Sequence, residues 1–363
     1  MINAQTAQIR KIARNLLEEG KVDLFIGFQE GTVPLCSRPA FVRAGSQGGD
    51  GLEGLVWDSF CANNLAVYLP KYYENQPGRR KKREKPYPKI GVAAKGCDMR
   101  SIVALTKERQ VQRDSLVVVG VPCQGMIDTR KVEAAVAVQG QGAGGGSPLS
   151  GAEEILSHRE TDGGSLEVTT RSSGVLAFAR EEVLQDCCLE CRFPMPEGAD
   201  ILVSGQARKP GDGGYARIEE FTGKSSQERW EYFSSELSRC IRCNACRQAC
   251  PTCWCKECFA EQTDLKWIGA GNYPSDAMIF QIIRVFHQAG RCVECDACYR
   301  ACPMHIDLRL YTKKIVKDVE EIFGYLPAFD AQALPPLATF GDEQCDFFIT
   351  DPDKAEAAEG TGQ

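Results

Sequence analysis

The chain has 363 residues and a formal net charge of −6, with 43% hydrophobic and 25% charged residues. That is ordinary globular composition with length enough for two domains, and it excludes a collagenous or disordered chain despite 35 glycines. No apolar run approaches the roughly 18 residues that a membrane span needs, and no long basic face favours nucleic acid.

The opening stretch MINAQTAQIRKIARNLLEEG reads as an amphipathic helix rather than a signal peptide. Ile9, Ile12, Ala13, Leu16 and Leu17 share one face, and Gly20 is its stop. Without an export signal, nineteen cysteines point to a cytoplasmic chain whose thiolates are kept reduced for metal. The three histidines, His158, His287 and His305, are too few to carry the chemistry. Residues 21–28 then read as a buried strand. In KIGVAAKGCDMRSIVAL a strand over 90–94 runs into Cys97, with Asp98 placed to cap a helix. In SLVVVGVPCQGMID a strand over 116–121 runs into Cys123. Strands alternating with helices predict a mostly parallel sheet, whose ligands gather beyond the carboxyl ends of the strands. Both cysteines fall there.

Two biased stretches interrupt this region, the basic GRRKKREKPYPK (78–89) and the Gly/Ser-rich 139–151. The basic run reads as a solvated loop or as a contact for a flavin pyrophosphate or an acidic partner. The glycine-rich stretch reads as a linker or hairpin tip. The segment DCCLECRFPMPEGADILVSG then supplies Cys187, Cys188 and Cys191. With Cys97 and Cys123 brought beside them, Cys188 and Cys191 would complete one [4Fe–4S] site; a thiol–disulfide CxxC is the rival reading.

From about residue 221 the pattern turns helical. SSQERWEYFSSELSRC carries a Ser cap with Glu228 behind it, then Trp230, Phe233 and Leu237 on one face. SDAMIFQIIRVFHQAGRC repeats the plan, with a Ser275 cap, Ile279, Ile282, Ile283 and Phe286 expected inside, and Gly290 as the stop. A third helix covers 308–325. The prolines of LPAFDAQALPPLATF (326–340) make an extended arm, expected to lie partly on a partner, before an acidic tail expected to be disordered.

Among these helices lies the strongest signal. Cys240-x2-Cys243-x2-Cys246-x3-Cys250-Pro251 recurs as Cys292-x2-Cys295-x2-Cys298-x3-Cys302-Pro303. Each run matches the bacterial-ferredoxin pattern, in which the fourth cysteine serves the other cluster. The pairing predicts one [4Fe–4S] cluster on Cys240, Cys243, Cys246 and Cys302, and a second on Cys292, Cys295, Cys298 and Cys250. Zinc prefers CxxC pairs a dozen or more residues apart. Arg239, Arg242, Arg247, Arg291 and Arg300 lie near the runs, either offsetting cluster charge or as exposed helix-end cations. Cys253, Cys255 and Cys258 read as small apolar packing rather than a further cluster.

KGCD (95–98), GVPCQG (120–125) and CCLECRFPMPEGADILVSG (187–205) resemble the beta subunit of coenzyme F420-reducing hydrogenases and F420-dependent formate dehydrogenases, over about residues 1–215. RCVECDACYRACPMHIDLRLYTKKIVKDVEEIFGY resembles the dicluster ferredoxin domains associated with heterodisulfide-reductase-like complexes. The resemblance implies an α/β domain at 1–220 with its own [4Fe–4S] cluster on Cys97, Cys123, Cys188 and Cys191, with Cys187 as the alternative to Cys188. An α-helical dicluster ferredoxin domain at 221–325 and the arm and tail at 326–363 follow. It also implies FAD, for which no motif marks a site here, since no GxGxxG follows a strand. The expected function is an electron-transfer subunit of an anaerobic oxidoreductase complex. Its partners would be a heterodisulfide-reductase-like flavoprotein or a hydrogenase or formate dehydrogenase subunit. The alternative is a flavin-containing catalytic subunit acting on F420 or NAD(P)H.

Overall fold

A computed structural model of the chain describes residues 3–45, 51–74, 87–140, 154–161, 164–269, 271, 273–336 and 339. The basic run up to residue 86, the glycine-rich stretch over 141–151 and the acidic tail from 340 lie outside the described residues.

Helix α1 (Ala4–Glu18) begins where the Asn3 side chain accepts the Thr6 N–H. It buries Ile9, Ala13, Leu16 and Leu17 and stops before Gly20, whose φ of 64° lies in the left-handed region. Strand β1 (Leu24–Glu30) pairs antiparallel with β2 (Ser37–Val42) and with β3 (Leu55–Val56). Helix α2 (Tyr68–Glu74) follows, then β4 (Ile90–Ala94), parallel to β1 and buried throughout. Helix α3 (Gly96–Lys107) leads to β5 (Leu116–Gly120), parallel to β4. The continuous apolar runs of β4 and β5 suit strands covered on both faces.

After α4 (Thr129–Gly140) comes an antiparallel sheet of β6 (Ile155–Glu160), β7 (Leu166–Thr170) and β8 (Gly174–Phe178), which the sequence reading did not anticipate. It packs on a small core of its own around Phe60, Val136, Val168 and Phe178. Short helices α5 (Arg180–Val183) and α6 (Asp186–Leu189) return the chain to the main sheet, where β9 (Ile201–Leu202) adds parallel to β5. The main sheet is therefore α/β and mostly parallel, with an antiparallel margin at β2 and β3.

From residue 215 the described residues contain helices and no strand: α7 (Tyr215–Gly223), α8 (Ser226–Ser238), α9 (Ala245–Ala249), α10 (Pro274–Phe286), α11 (Ala297–Arg300) and α12 (Arg309–Phe323). The capping box at α8 forms as expected, Ser225 and Glu228 exchanging hydrogen bonds. Phe233 and Leu237 are buried, whereas Trp230 is 51% exposed, its ring centroid 5.8 Å from that of Phe233.

Helix α10 departs further. It starts at Pro274, so Ser275 is not its cap. Its buried residues are Ala277, Phe280, Gln281, Arg284 and Val285, while Ile279, Ile282 and Phe286 face outward and Ile283 is half-buried. The reason is what the helix covers. Its inner face meets cysteine-lined hollows, where donors and a cation serve better than methyl groups.

The described part of the arm packs on its own chain. Arg100 donates to the Pro327 carbonyl, Phe329 meets Phe193 edge-on with ring centroids 5.8 Å apart, and Tyr325 is buried. No described helix is long and apolar enough to cross a membrane.

Candidate metal centres

The two cysteine runs fold alike. In the first, Arg242 and Asn244 take φ of 51° and 60°; in the second, Glu294 and Asp296 take 57° and 51°. Each pair occupies the same places, before and after the second cysteine. Non-glycine residues hold this conformation at a cost of roughly 1–3 kcal/mol each, only where the surroundings impose it, and such residues gather at ligand clamps. Here it bends each run sharply enough to turn three thiols to one side, with α9 and α11 starting directly afterwards.

Cys240, Cys243, Cys246 and Cys302 line one hollow, here called distal. Cys292, Cys295, Cys298 and Cys250 line a second, the middle hollow. The structure thus places the fourth cysteine of each run with the first three of the other. Backbone amides point at sulfur: Glu294 N–H reaches Cys292 Sγ at 3.4 Å and Ile306 N–H reaches Cys302 Sγ at 3.5 Å.

A third hollow lies beyond the carboxyl ends of β4 and β5. Cys97, Cys123, Cys187, Cys188 and Cys191 all line it. Gly96 makes the approach possible, since a Cβ there would stand 1.8 Å from the Phe193 carbonyl oxygen. Cys123 N–H donates to the Pro194 carbonyl at 3.0 Å, tying the second strand end to the same segment. Asp98 sits one turn into α3 and accepts the Lys95 N–H at 2.8 Å; its carboxylate also pairs with the buried Lys95 ammonium at 2.9 Å.

Between the adjacent cysteines the environment separates roles. Cys188 Sγ accepts the Met126 N–H at 3.4 Å, and a hydrogen bond from Cys187, with that amide, brings its thiol down to about 7. Cys187, the donor of the pair and buried as well, is pushed up. Cys188 is the better thiolate, and Cys187 stands in the walls of both the third and middle hollows.

Burial pushes most of the other thiols upward, Cys123 and Cys253 to about 12 and Cys295 to about 11, with neighbouring thiols adding to the effect. Sulfurs so placed become thiolates only where positive charge enters beside them. Among the described residues six guanidinium nitrogens are buried without a hydrogen-bond partner; those of Arg100, Arg192 and Arg208 belong to side chains lining the third hollow, and that of Arg242 to one lining the distal hollow. An anionic group fits these positions. The three hollows are comparable in extent, with about 670, 560 and 700 Å³ of space, open solvent included, for middle, distal and third. Among the described residues no three Cys, His, Asp or Glu side chains could hold a single metal ion. The thiols line walls instead of converging within about 2.3 Å of one point, so the donor set suits an iron–sulfur cubane better than zinc.

The hollows adjoin in order. The third and middle share Cys187, Val293, Glu294 and Cys295, and the middle and distal share Cys298, Arg309 and Thr312. Arg300 pins the junction of the two halves, donating to Gln185 Oε1 at 2.8 Å, the Cys295 carbonyl at 2.7 Å and the Ala62 carbonyl at 2.8 Å. Of the other arginines near the runs, Arg242 lines the distal hollow, whereas Arg239, Arg247 and Arg291 pair with Glu236, Glu261 and Glu108. Arg100 and Arg284 are buried cations that the sequence reading missed, because one lies far from the runs and the other on a helix read the wrong way round. Cys258 is buried, Cys253 is half-buried and Cys255 is exposed; none of the three lines these hollows.

Residues 87–228 match a family model that describes the C-terminal part of the coenzyme F420 hydrogenase/dehydrogenase beta subunit. The F420-dependent formate dehydrogenase subunit beta of Methanocaldococcus jannaschii is 27% identical, over 91% of this chain and 93% of that one. The beta subunit of F420-dependent formate dehydrogenase 1 from Methanococcus maripaludis is 23% identical, over 91% and 92%. A chain in the structure of the F420-reducing [NiFe] hydrogenase complex from Methanosarcina barkeri superposes with a TM-score of 0.32 at 18% identity, covering 52% of this chain and 58% of that one. A likeness at that level carries no argument about the fold.

Proposed function

We propose that the chain, similar over 91% of its length to beta subunits of F420-dependent formate dehydrogenases, is a member of the F420 hydrogenase/dehydrogenase beta-subunit family and serves as an iron–sulfur electron-transfer subunit of an anaerobic oxidoreductase complex. Cys240, Cys243, Cys246 and Cys302 hold one [4Fe–4S] cluster. Cys292, Cys295, Cys298 and Cys250 hold a second, and Cys97, Cys123, Cys188 and Cys191 a third. Such clusters supply one-electron storage at a potential that the protein tunes through charge, burial and hydrogen bonds to sulfur. Residues 221–325 then act as an α-helical dicluster ferredoxin domain behind the α/β domain.

The observation that carries this reading is the unbroken succession of three cysteine-lined hollows, each sharing a wall with the next. Arg300 and the Arg100–Glu294 ion pair tie the two halves together, and one nitrogen each of Arg100 and Arg242 is free to donate to an anionic group. The partners would be the catalytic subunit of a hydrogenase or formate dehydrogenase, or a heterodisulfide-reductase-like flavoprotein. Anaerobically purified protein should contain about twelve irons, four for each cluster. Iron near eight, with a Cys97→Ser/Cys123→Ser double mutant spectrally unchanged, would remove the third cluster from the account.

The F420-dependent relatives favour a second reading, in which the α/β domain binds FAD and exchanges electrons with F420 or NAD(P)H. Bound flavin whose absorbance bleaches on adding the reduced carrier would establish it; protein free of flavin but fully loaded with iron would exclude it.

A further inference from the structure

Helix α10 turns a polar spine inward: Gln281, Arg284 and Gln288, the last just past its end, are all buried. Gln281 Nε2 donates to Cys246 Sγ at 3.7 Å and its Oε1 accepts from Arg284 Nε at 2.9 Å. At the other end, Gln288 Oε1 accepts from Thr252 Oγ1 at 2.6 Å and from Cys250 Sγ at 3.6 Å. Cys246 belongs to the distal hollow and Cys250 to the middle one. Arg284 stands between them, in the wall of the distal hollow beside Cys298.

A cation is expensive to bury. Burial works against the charge of Arg284, yet the sulfurs of Cys246, Cys298, Cys250 and Cys253 together outweigh it. Those four come from both runs and from the segment following the first, so the charge is shared rather than committed to one hollow. The spine also accounts for the outward Ile279 and Phe286, which a helix selected only for packing would bury.

We propose that Arg284 sets the reduction potentials of the distal and middle clusters jointly, and that Gln281 adjusts the distal one alone. This rests on the cluster reading above. One electron enters either site from an external low-potential donor, dithionite in the test, and no bond forms or breaks. The added negative charge is stabilised by the guanidinium, so its removal makes both sites harder to reduce.

Redox titration of the purified holoprotein, followed by EPR, tests this, with Cys302→Ser used to identify the distal signal. In R284Q both midpoints should fall by at least a tenfold change in the reduced-to-oxidised ratio at fixed potential, about 59 mV for a one-electron couple. R284K should move both together or neither, and Q281L should lower the distal midpoint only. An unmoved midpoint at either site in iron-replete R284Q overturns the proposal, as does R284K shifting one site alone. Loss of iron from both Arg284 variants also overturns it, leaving Arg284 as a structural support. Wild-type protein without two signals from the helical half would refute the cluster reading itself, a result distinct from any of these.

Discussion

The distal and middle hollows differ from the third in where their walls come from. Each of the first two takes three thiols from seven consecutive residues, bent by two left-handed residues, and only the fourth thiol from afar. The third gathers Cys97, Cys123, Cys188 and Cys191 from two strand ends and a separate segment, and depends on β4, β5 and the Phe193–Met195 backbone meeting correctly. One kind of site is made by local turns and the other by tertiary structure. Local damage should therefore be contained in the first kind, while the second should fail through residues that touch no ligand atom.

The largest expected effect exploits this contrast. Gly96→Ala would thrust a Cβ to within 1.8 Å of the Phe193 oxygen, so α3 must shift and carry Cys97 with it. Iron should fall from about twelve to about eight with the helical-half EPR signals preserved; full iron content in the variant would show that the third site tolerates displacement. Next, Cys302→Ser should alter the site of Cys240, Cys243 and Cys246, and not that of its own sequence neighbours. Spectra showing each run self-contained would erase the crossover.

Arg300→Gln tests the seam between the two regions. Losing a half-buried cation that serves three acceptors should cost about 2 kcal/mol in denaturant unfolding. Faster amide exchange near residues 185–192 than in α12 would locate the loss. The smallest effect concerns Glu320, which joins α12 to Arg192 and Tyr215. Burial alone would raise its carboxyl, but the bonds from Arg192 and Tyr215 outweigh that and hold it below its ordinary 4.5. Its contribution is therefore complete above that value and disappears as pH falls through the lower folded value. Being partly exposed, Glu320→Gln should cost about 1 kcal/mol at neutral pH, and the difference from wild type should vanish in acid urea titrations.

The same contrast explains what could be read before the fold was known. The paired runs declare themselves through spacing, since their geometry is encoded within a few residues. Cys97 and Cys123 were legible because a strand followed by cysteine is a local pattern whose spatial consequence in a parallel sheet is general. Arg100, Arg284 and Gln281 were not, because nothing in their neighbourhood along the chain marks them. Helix α10 was misread for a physical reason: amphipathic reasoning assumes an oily interior, and this interior is lined with sulfur. The sheet of β6 to β8 escaped because its strands are only five or six residues long and β6, ILSHRE, shows no alternation of apolar and polar residues.

The exchanged fourth cysteines also bear on how the molecule is made. A nascent chain that has reached α10 has Cys240, Cys243, Cys246 and Cys250, yet in the finished architecture those four never surround one space. Neither four-thiol wall exists until the second run has been made and both turns have docked through α9 and α11: the middle wall closes with Cys298 and the distal one only with Cys302. Maturation of this half is thus committed late, and a chain truncated before residue 298 should leave translation with no complete receptacle for iron and sulfide in its helical half.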